Sequence, residues 1–158
     1  MGNRIVDEEI VLVRYYPNYK TTLAWYQDLE LCKQVDNRDS AYDLDLLKGM
    51  YKYLNKHGDL YYIKYKNRLC GDVCLQPSGE VNIVIAKPFQ NKHIGRRVIH
   101  EIIQLAKEEK EDATAEIICL VNKIFLKMYE HTKNLTRSVS IESEMKDFLN
   151  TQTLSDFN

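Results

Sequence analysis

The chain has 158 residues, 44% of them hydrophobic and 28% charged, and its 22 basic and 23 acidic residues leave a formal net charge of -1. That composition supports one packed domain, excludes bulk disorder and lacks the basic excess of a dedicated nucleic-acid binder. No apolar run approaches the ~18 residues of a membrane helix. The opening MGNRIVDEEI has no signal-peptide core and puts Val6 where a myristoylation motif wants Ser or Thr, so a cytoplasmic protein without a membrane partner is expected.

Glu9 to Tyr16 is β-branched and aromatic, and Pro17-Asn18 stops it, which predicts a first strand. From Tyr19 to about Gln34, Leu23, Tyr26, Leu29 and Cys32 recur at three- and four-residue steps and predict one helix. The polar VDNRDSAYD reads as a turn. A second helix is expected over Asp45 to Lys56, with Leu46, Leu47, Met50, Tyr53 and Leu54 inward and Gly58 as a left-handed cap. Leu60 to Lys66, Leu69 to Gln76 and Glu80 to Ala86 read as an antiparallel meander with turns at Asn67-Arg68 and Pro77-Ser78-Gly79. Arg96 to about Lys110 carries the clearest helical stripe: Val98, Ile99, Ile102, Ile103, Leu105 and Ala106. Thr114 to Val121 reads as a strand and Lys123 to about His131 as a helix. Beyond Lys133 the pattern weakens to one possible strand and a frayed helix or tail. No repeat or linker divides the chain, so residues 1–158 are read as a single domain.

Cys32, Cys70, Cys74 and Cys119 form no C-x-x-C pair, and the four histidines are scattered. Free thiols are expected, and no metal site.

Strand 80–86, helix 96–110 and strand 114–121 form a βαβ unit, whose strands should be parallel. The loop between the first two, Gln90-Asn91-Lys92-His93-Ile94-Gly95, then lies at the carboxyl end of a strand, where open α/β sheets bind ligands. Helix-start amides lack intrahelical acceptors and sit at the positive end of the helix dipole; Lys92, Arg96 and Arg97 add full charges. A phosphate group would satisfy both features; the other reading is a basic cap touching only solvent. The ATP-type string G-x-x-x-x-G-K-[ST] is absent, and of the dinucleotide string G-x-G-x-x-G only Gly95 is present. Those absences weigh against a nucleotide-phosphate enzyme of another α/β class.

Gln90-x-x-His93-x-Gly95 resembles the acyl-CoA pyrophosphate loop [QR]-x-x-G-x-[GA] of the GNAT superfamily of N-acetyltransferases. IVIAKPFQ resembles that family's fourth strand running into the loop, and Asn122 followed by Met128-Tyr129 resembles its N-x-x-A-x-x-[LM]-Y segment. The likeness covers roughly Glu9 to Tyr129. His93 departs from the motif's first glycine, and Lys133 and Asn134 stand where the family usually has Gly-Phe. If position 93 needs positive φ, a histidine there is strained.

The resemblance implies an α/β (α+β) fold: a mixed, mostly antiparallel sheet with one parallel βαβ unit and helices on both faces. It implies acetyl-CoA as co-substrate. The main chain of Val84, Ile85 and Ala86 would hold the pantetheine arm and thioester. The amides from Lys92 through His93, Ile94 and Gly95 to Arg96 would hold the pyrophosphate, Gln90 would line the loop, and Lys92 or Arg97 would reach other phosphates. Asn122 would bond the pantetheine amides, and Tyr129 would share a proton with the departing thiolate, its reference pKa of about 10 lying above the thiol's about 8.5. Glu80 or Glu116 would take the amine proton, directly or through water.

The acceptor would lie over the first helices, near Trp25, Tyr26, Tyr42 and Tyr51 with Asp36, Asp39, Asp43 and Asp45. Aromatic and acidic groups together suit a cationic amine of a small molecule or peptide; an amphipathic helix pair with a solvated acidic turn is the other reading. A non-catalytic acyl-CoA-binding module on the same fold is the alternative function, and a homodimer is possible.

Overall fold

A computed structural model describes residues 2–109. The expected strand 114–121, the helix 123–131, Glu116, Cys119, Asn122, Tyr129 and the segment from about 134 lie outside the described residues, as does the parallel partner of the βαβ unit.

Five strands stand in chain order and every neighbouring pair is antiparallel. They are β1 (Arg4–Ile5), β2 (Ile10–Arg14), β3 (Asp59–Tyr65), β4 (Arg68–Leu75) and β5 (Val81–Ile85). The short β1 was not expected from the sequence. It exists because Asp7 folds the chain back, accepting the amides of Glu9 and Ile10 at 2.8 and 2.9 Å.

The single helix expected over 19–34 is two: α1 (Tyr19–Trp25) and α2 (Leu29–Asp36). Asp28 makes the break by capping α2, its side chain accepting the amides of Glu30 and Leu31. Restarting the helix shifts its phase, so Leu29 turns outward at 56% exposure while Leu31 and Cys32 enter the core. α3 (Leu44–His57) starts at Asp43, which accepts from Leu46 N at 2.7 Å. Its buried residues are Leu47, Tyr51 and Leu54; Tyr53, expected inward, is exposed and lies against the His57 ring.

Two turn expectations are corrected. Gly58 is extended rather than left-handed, with φ -151° and ψ -177°. A glycine is required there because a Cβ would stand 2.6 Å from the Leu75 carbonyl oxygen and 2.8 Å from Cys74 Sγ. The β3–β4 turn falls one residue earlier than expected, on Lys66 and Asn67, whose φ values are 46° and 65°; Arg68 already pairs with Tyr65. Positive φ at both central residues is the two-residue hairpin turn that matches strand twist.

One face of the sheet, with Leu60, Tyr62, Cys74, Val84 and Ala86, packs against α1, α2 and α3. Successive residues of a strand face opposite ways. Ile85 accordingly looks to the other face, where it meets Gly95 of α4 (Ile94–Glu109). The apolar stripe expected on α4 is buried from Val98 to Ala106.

Candidate active site

The strand-to-helix connection runs from β5 through a 3-10 turn, Lys87–Phe89, to α4. Pro88 suits that turn, whose first position needs no amide donor. The turn closes through Phe89 N to Ala86 O at 2.9 Å and Gln90 N to Lys87 O at 3.2 Å. Gln90 then reaches back, Nε2 donating to the Ile85 carbonyl at 2.9 Å, which ties the loop to the strand end. Asn91 and His93 both adopt left-handed backbone, with φ 63° and 60°. The position that the motif gives to glycine does need positive φ, and a histidine fills it. The first intrahelical bond runs from Arg97 N to His93 O at 3.3 Å. The Ile94 and Gly95 amides precede it, at the positive end of the helix.

Each candidate residue has a distinct setting. Lys92, His93 and Arg96 are exposed, whereas the Ile94 side chain is buried, leaving its amide as the group it offers a ligand. Among the described residues, an added Cβ at Gly95 would meet only Ile85 Cγ1, at 3.9 Å. The described residues make no steric demand for glycine at that position. The diphosphate cradle expected here therefore fits: amides at a helix start, exposed cations and room above Gly95.

Val84, Ile85 and Ala86 do not present equivalent main chains. Ala86 N bonds Cys70 O at 2.8 Å and Gln76 N bonds Glu80 O at 2.9 Å. In an antiparallel ladder these bonded pairs recur every second residue, so Val84 and Ala86 turn their polar groups toward β4 and Ile85 turns its own away. Among the three, Ile85 has the amide directed outward from the described sheet, with its carbonyl already taken by Gln90.

Arg97 is committed elsewhere than the phosphate site its position suggested. Its Nη1 donates to Asp7 at 3.0 Å and to Glu9 at 2.9 Å, and its Nη2 reaches the Lys92 carbonyl at 3.4 Å. Arg97 bonding holds the Glu9 carboxyl below its ordinary value. Burial pushes Asp7 upward, but the amides of Glu9 and Ile10 and the guanidinium outweigh it and leave Asp7 lowered as well.

Glu80 is exposed in the turn ahead of β5, with its amide 3.3 Å from Ser78 Oγ. It stands five residues before Ile85, about 17 Å along an extended strand. The aromatic residues expected to greet an acceptor face inward: Trp25, Tyr26, Tyr42 and Tyr51 are 8%, 1%, 5% and 0% exposed. Asp36 accepts the Tyr42 hydroxyl at 2.8 Å, Asp39 pairs with Lys33 at 2.9 Å and Asp43 caps α3. In this region the amphipathic helix pair is the arrangement found.

Asp72 was missed. It lies on β4 between Tyr62 of β3 and Val84 of β5, buried to 2% exposure. Its Oδ2 accepts the hydroxyls of Tyr26 and Tyr51, each at 2.8 Å. Burial pushes its carboxyl up to about 6 against the pull of the two hydroxyls. The available signal was a lone acid in the apolar run LCGDVCL. Among the described residues no group of three or more His, Cys, Asp or Glu could hold a metal, and no helix is long and apolar enough to cross a membrane.

The model of the acetyltransferase (GNAT) family matches residues 22–132. The chain belongs to that family. It is an acetyl-CoA-dependent acyltransferase. No curated protein sequence matches the chain. Among solved structures, the crystal structure "Probable acetyltransferase" is 24% identical over 69% of each chain, with a TM-score of 0.52, and shares the fold. An acetyltransferase from Salmonella typhimurium that modifies the N-terminal serine of ribosomal protein L7/L12 is 9% identical over 77% of this chain and 83% of its own, with a TM-score of 0.48. A GNAT family acetyltransferase from Elizabethkingia anophelis with acetyl-CoA bound is 20% identical over 75% and 76%, with a TM-score of 0.43.

Proposed function

We propose that this GNAT protein transfers the acetyl group of acetyl-CoA to a primary amine, of a small molecule or a peptide, by direct attack in a ternary complex. The observation that carries the reading is the loop ahead of α4. Its left-handed residues Asn91 and His93 lead into the helix-start amides beside the exposed Lys92 and Arg96, at the end of a strand whose Ile85 amide faces away from β4. The cofactor's diphosphate would rest on the Lys92 to Arg96 amides and its pantetheine arm would run back along β5.

The amine must be neutral to attack; Glu80, about 17 Å along the strand from Ile85, would reach its proton only through a chain of several waters, and Glu116 is the other candidate base. The Ile85 amide would stabilise the developing oxyanion. As the carbon–sulfur bond breaks, Tyr129 would share its proton with the thiolate, and Asn122 would hold the arm. Nothing in this chemistry calls for a metal, a nucleic acid or a membrane. The proposed setting is the cytoplasm.

Acetyl-CoA consumption across an amine panel tests the reading, with turnover expected for at least one amine class. Tyr129→Phe should lower kcat more than cofactor affinity, and an unchanged kcat would remove its role. Binding of CoA without turnover would favour the non-catalytic module. Gly95→Val should weaken CoA binding at least about tenfold, or 1.4 kcal/mol, with little loss of stability, because among the described residues the first added atom meets only Ile85 Cγ1 at 3.9 Å. Unchanged affinity would remove the loop assignment.

A further inference from the structure

Asp7 divides its carboxylate between two tasks. Oδ1 accepts the amides of Glu9 and Ile10 and shapes the turn between β1 and β2. Oδ2 takes Arg97 Nη1, which Glu9 Oε2 also accepts. Lys66 joins from the β3–β4 turn, its Nζ 3.4 Å from Glu9 Oε1. Two acids and two bases thus meet with no net charge. Arg97 Nε is buried with no hydrogen-bond partner among the described residues, so the hydrogen bonds that hold the side chain come from its two Nη groups, with the guanidinium 5.9 Å from the centre of the Tyr65 ring.

The remaining Nη2 bond goes to the Lys92 carbonyl. Lys92 lies between Asn91 and His93, the two left-handed residues of the loop. Non-glycine residues persist in that conformation only when their surroundings over-determine it. The surroundings here come from residues about ninety positions away in the chain.

We propose that Asp7 and Glu9 are positioning residues for the cofactor loop. They hold Arg97 as a brace on the Lys92 carbonyl and keep its guanidinium off the cofactor's phosphates. The proposal rests on the loop being the diphosphate site, and it differs from simple electrostatics in sign. Deleting two carboxylates near a polyanion site should tighten binding if charge alone matters. It should also tighten binding if Arg97 is a phosphate ligand that the acids restrain. Under the brace it must weaken binding.

The experiment titrates CoA calorimetrically into the full chain and into Asp7→Asn, Glu9→Gln, the pair together, Arg97→Gln and the triple variant. Asp7→Asn keeps Oδ1 for the turn while replacing the oxygen that accepts from Arg97, so it spares the hairpin. The brace predicts a five- to tenfold weaker affinity for the Asp7/Glu9 pair, a similar loss for Arg97→Gln and no further loss in the triple variant. Hydrogen exchange at Lys92 and His93 in the free protein should quicken in the same variants. If the pair does not fold, the two single variants carry the same comparison. Tighter or unchanged CoA binding with unchanged exchange would overturn the proposal. Wild-type protein that fails to bind CoA would instead overturn the loop reading, and the exchange rates would still report on the brace.

Discussion

Asp72 and Arg97 are both charged side chains that engage several partners, yet their settings are opposite. Asp72 is sealed between α1, α3 and the sheet, and both its partners are tyrosine hydroxyls from helices packed directly over it. Arg97 is part-exposed, and its partners are carboxylates on a hairpin turn and a loop carbonyl. The interior is fixed by shape, with polar groups fitted into it; the loop is fixed by charge drawn in from a distant segment. Shape resists substitution sharply and indifferently to salt. Charge at a part-exposed site yields gradually and is screened. The proposed cofactor loop belongs to the second kind, where a locally unfavourable backbone at Asn91 and His93 is held by contacts from outside the loop.

The largest effect should come from testing shape. Gly71 of β4 stands opposite Ile85 of β5, and a Cβ there would overlap the Val84 carbonyl oxygen. Gly71→Ala should cost about 3 kcal/mol or more, read as a fall of roughly 10 °C in Tm for a chain of this size. Gly95→Ala, with 3.9 Å to its nearest neighbour, should lose only a small fraction of that. Equal losses at the two glycines would erase the contrast between the regions.

The next effect depends on pH. The ordinary Asp value of 3.8 is pushed up to about 6 at Asp72 by burial. The folded state thus holds this proton more tightly than the unfolded chain does. Its contribution to stability is fully present below about pH 4 and is lost as pH rises through 6, a total of roughly 3 kcal/mol. Asp72→Asn keeps an oxygen for both tyrosines and has no charge to gain. Urea unfolding between pH 4 and 8 should show the variant gaining on the wild type as pH rises. A constant difference would mean that Asp72 titrates in the fold as it does in water.

How far the sequence revealed this protein follows the same division. The meander and the long helix were legible because their apolar periods are local, as in LYYIKYK and the stripe from Val98 to Ala106. The strand-to-helix loop was legible through its polar, basic residues, and the positive φ at His93 was foreseeable from the glycine that the family motif has there. Asp28 hid a helix break inside an apparently continuous period, because a cap competes with propagation and leaves the spacing of Leu23, Tyr26 and Leu29 unchanged. Gly58 looked like a cap, but the reason for it is the approach of Leu75, a contact between segments that no local pattern carries. The Tyr26–Asp72–Tyr51 cluster and the Asp7–Arg97 brace are likewise long-range pairings. Tyrosines and acids are common in this chain, and only the fold says which of them meet.

The smallest effect tests whether the loop's backbone or its side chain does the gripping. His93 carries φ 60°, and a left-handed non-glycine costs roughly 1–2 kcal/mol. Glycine removes that cost but adds freedom to the unfolded chain, so His93→Gly should stabilise the protein by about 0.5–1 kcal/mol net. Asn91→Gly, at φ 63°, should gain less, because asparagine tolerates the conformation better. Since helix-start amides can hold a diphosphate without the imidazole, CoA affinity in His93→Gly should stay within about threefold, under 0.7 kcal/mol. A rise in stability joined to a tenfold loss of affinity would show that the imidazole donates to a phosphate, and that the strain at this position is kept for binding.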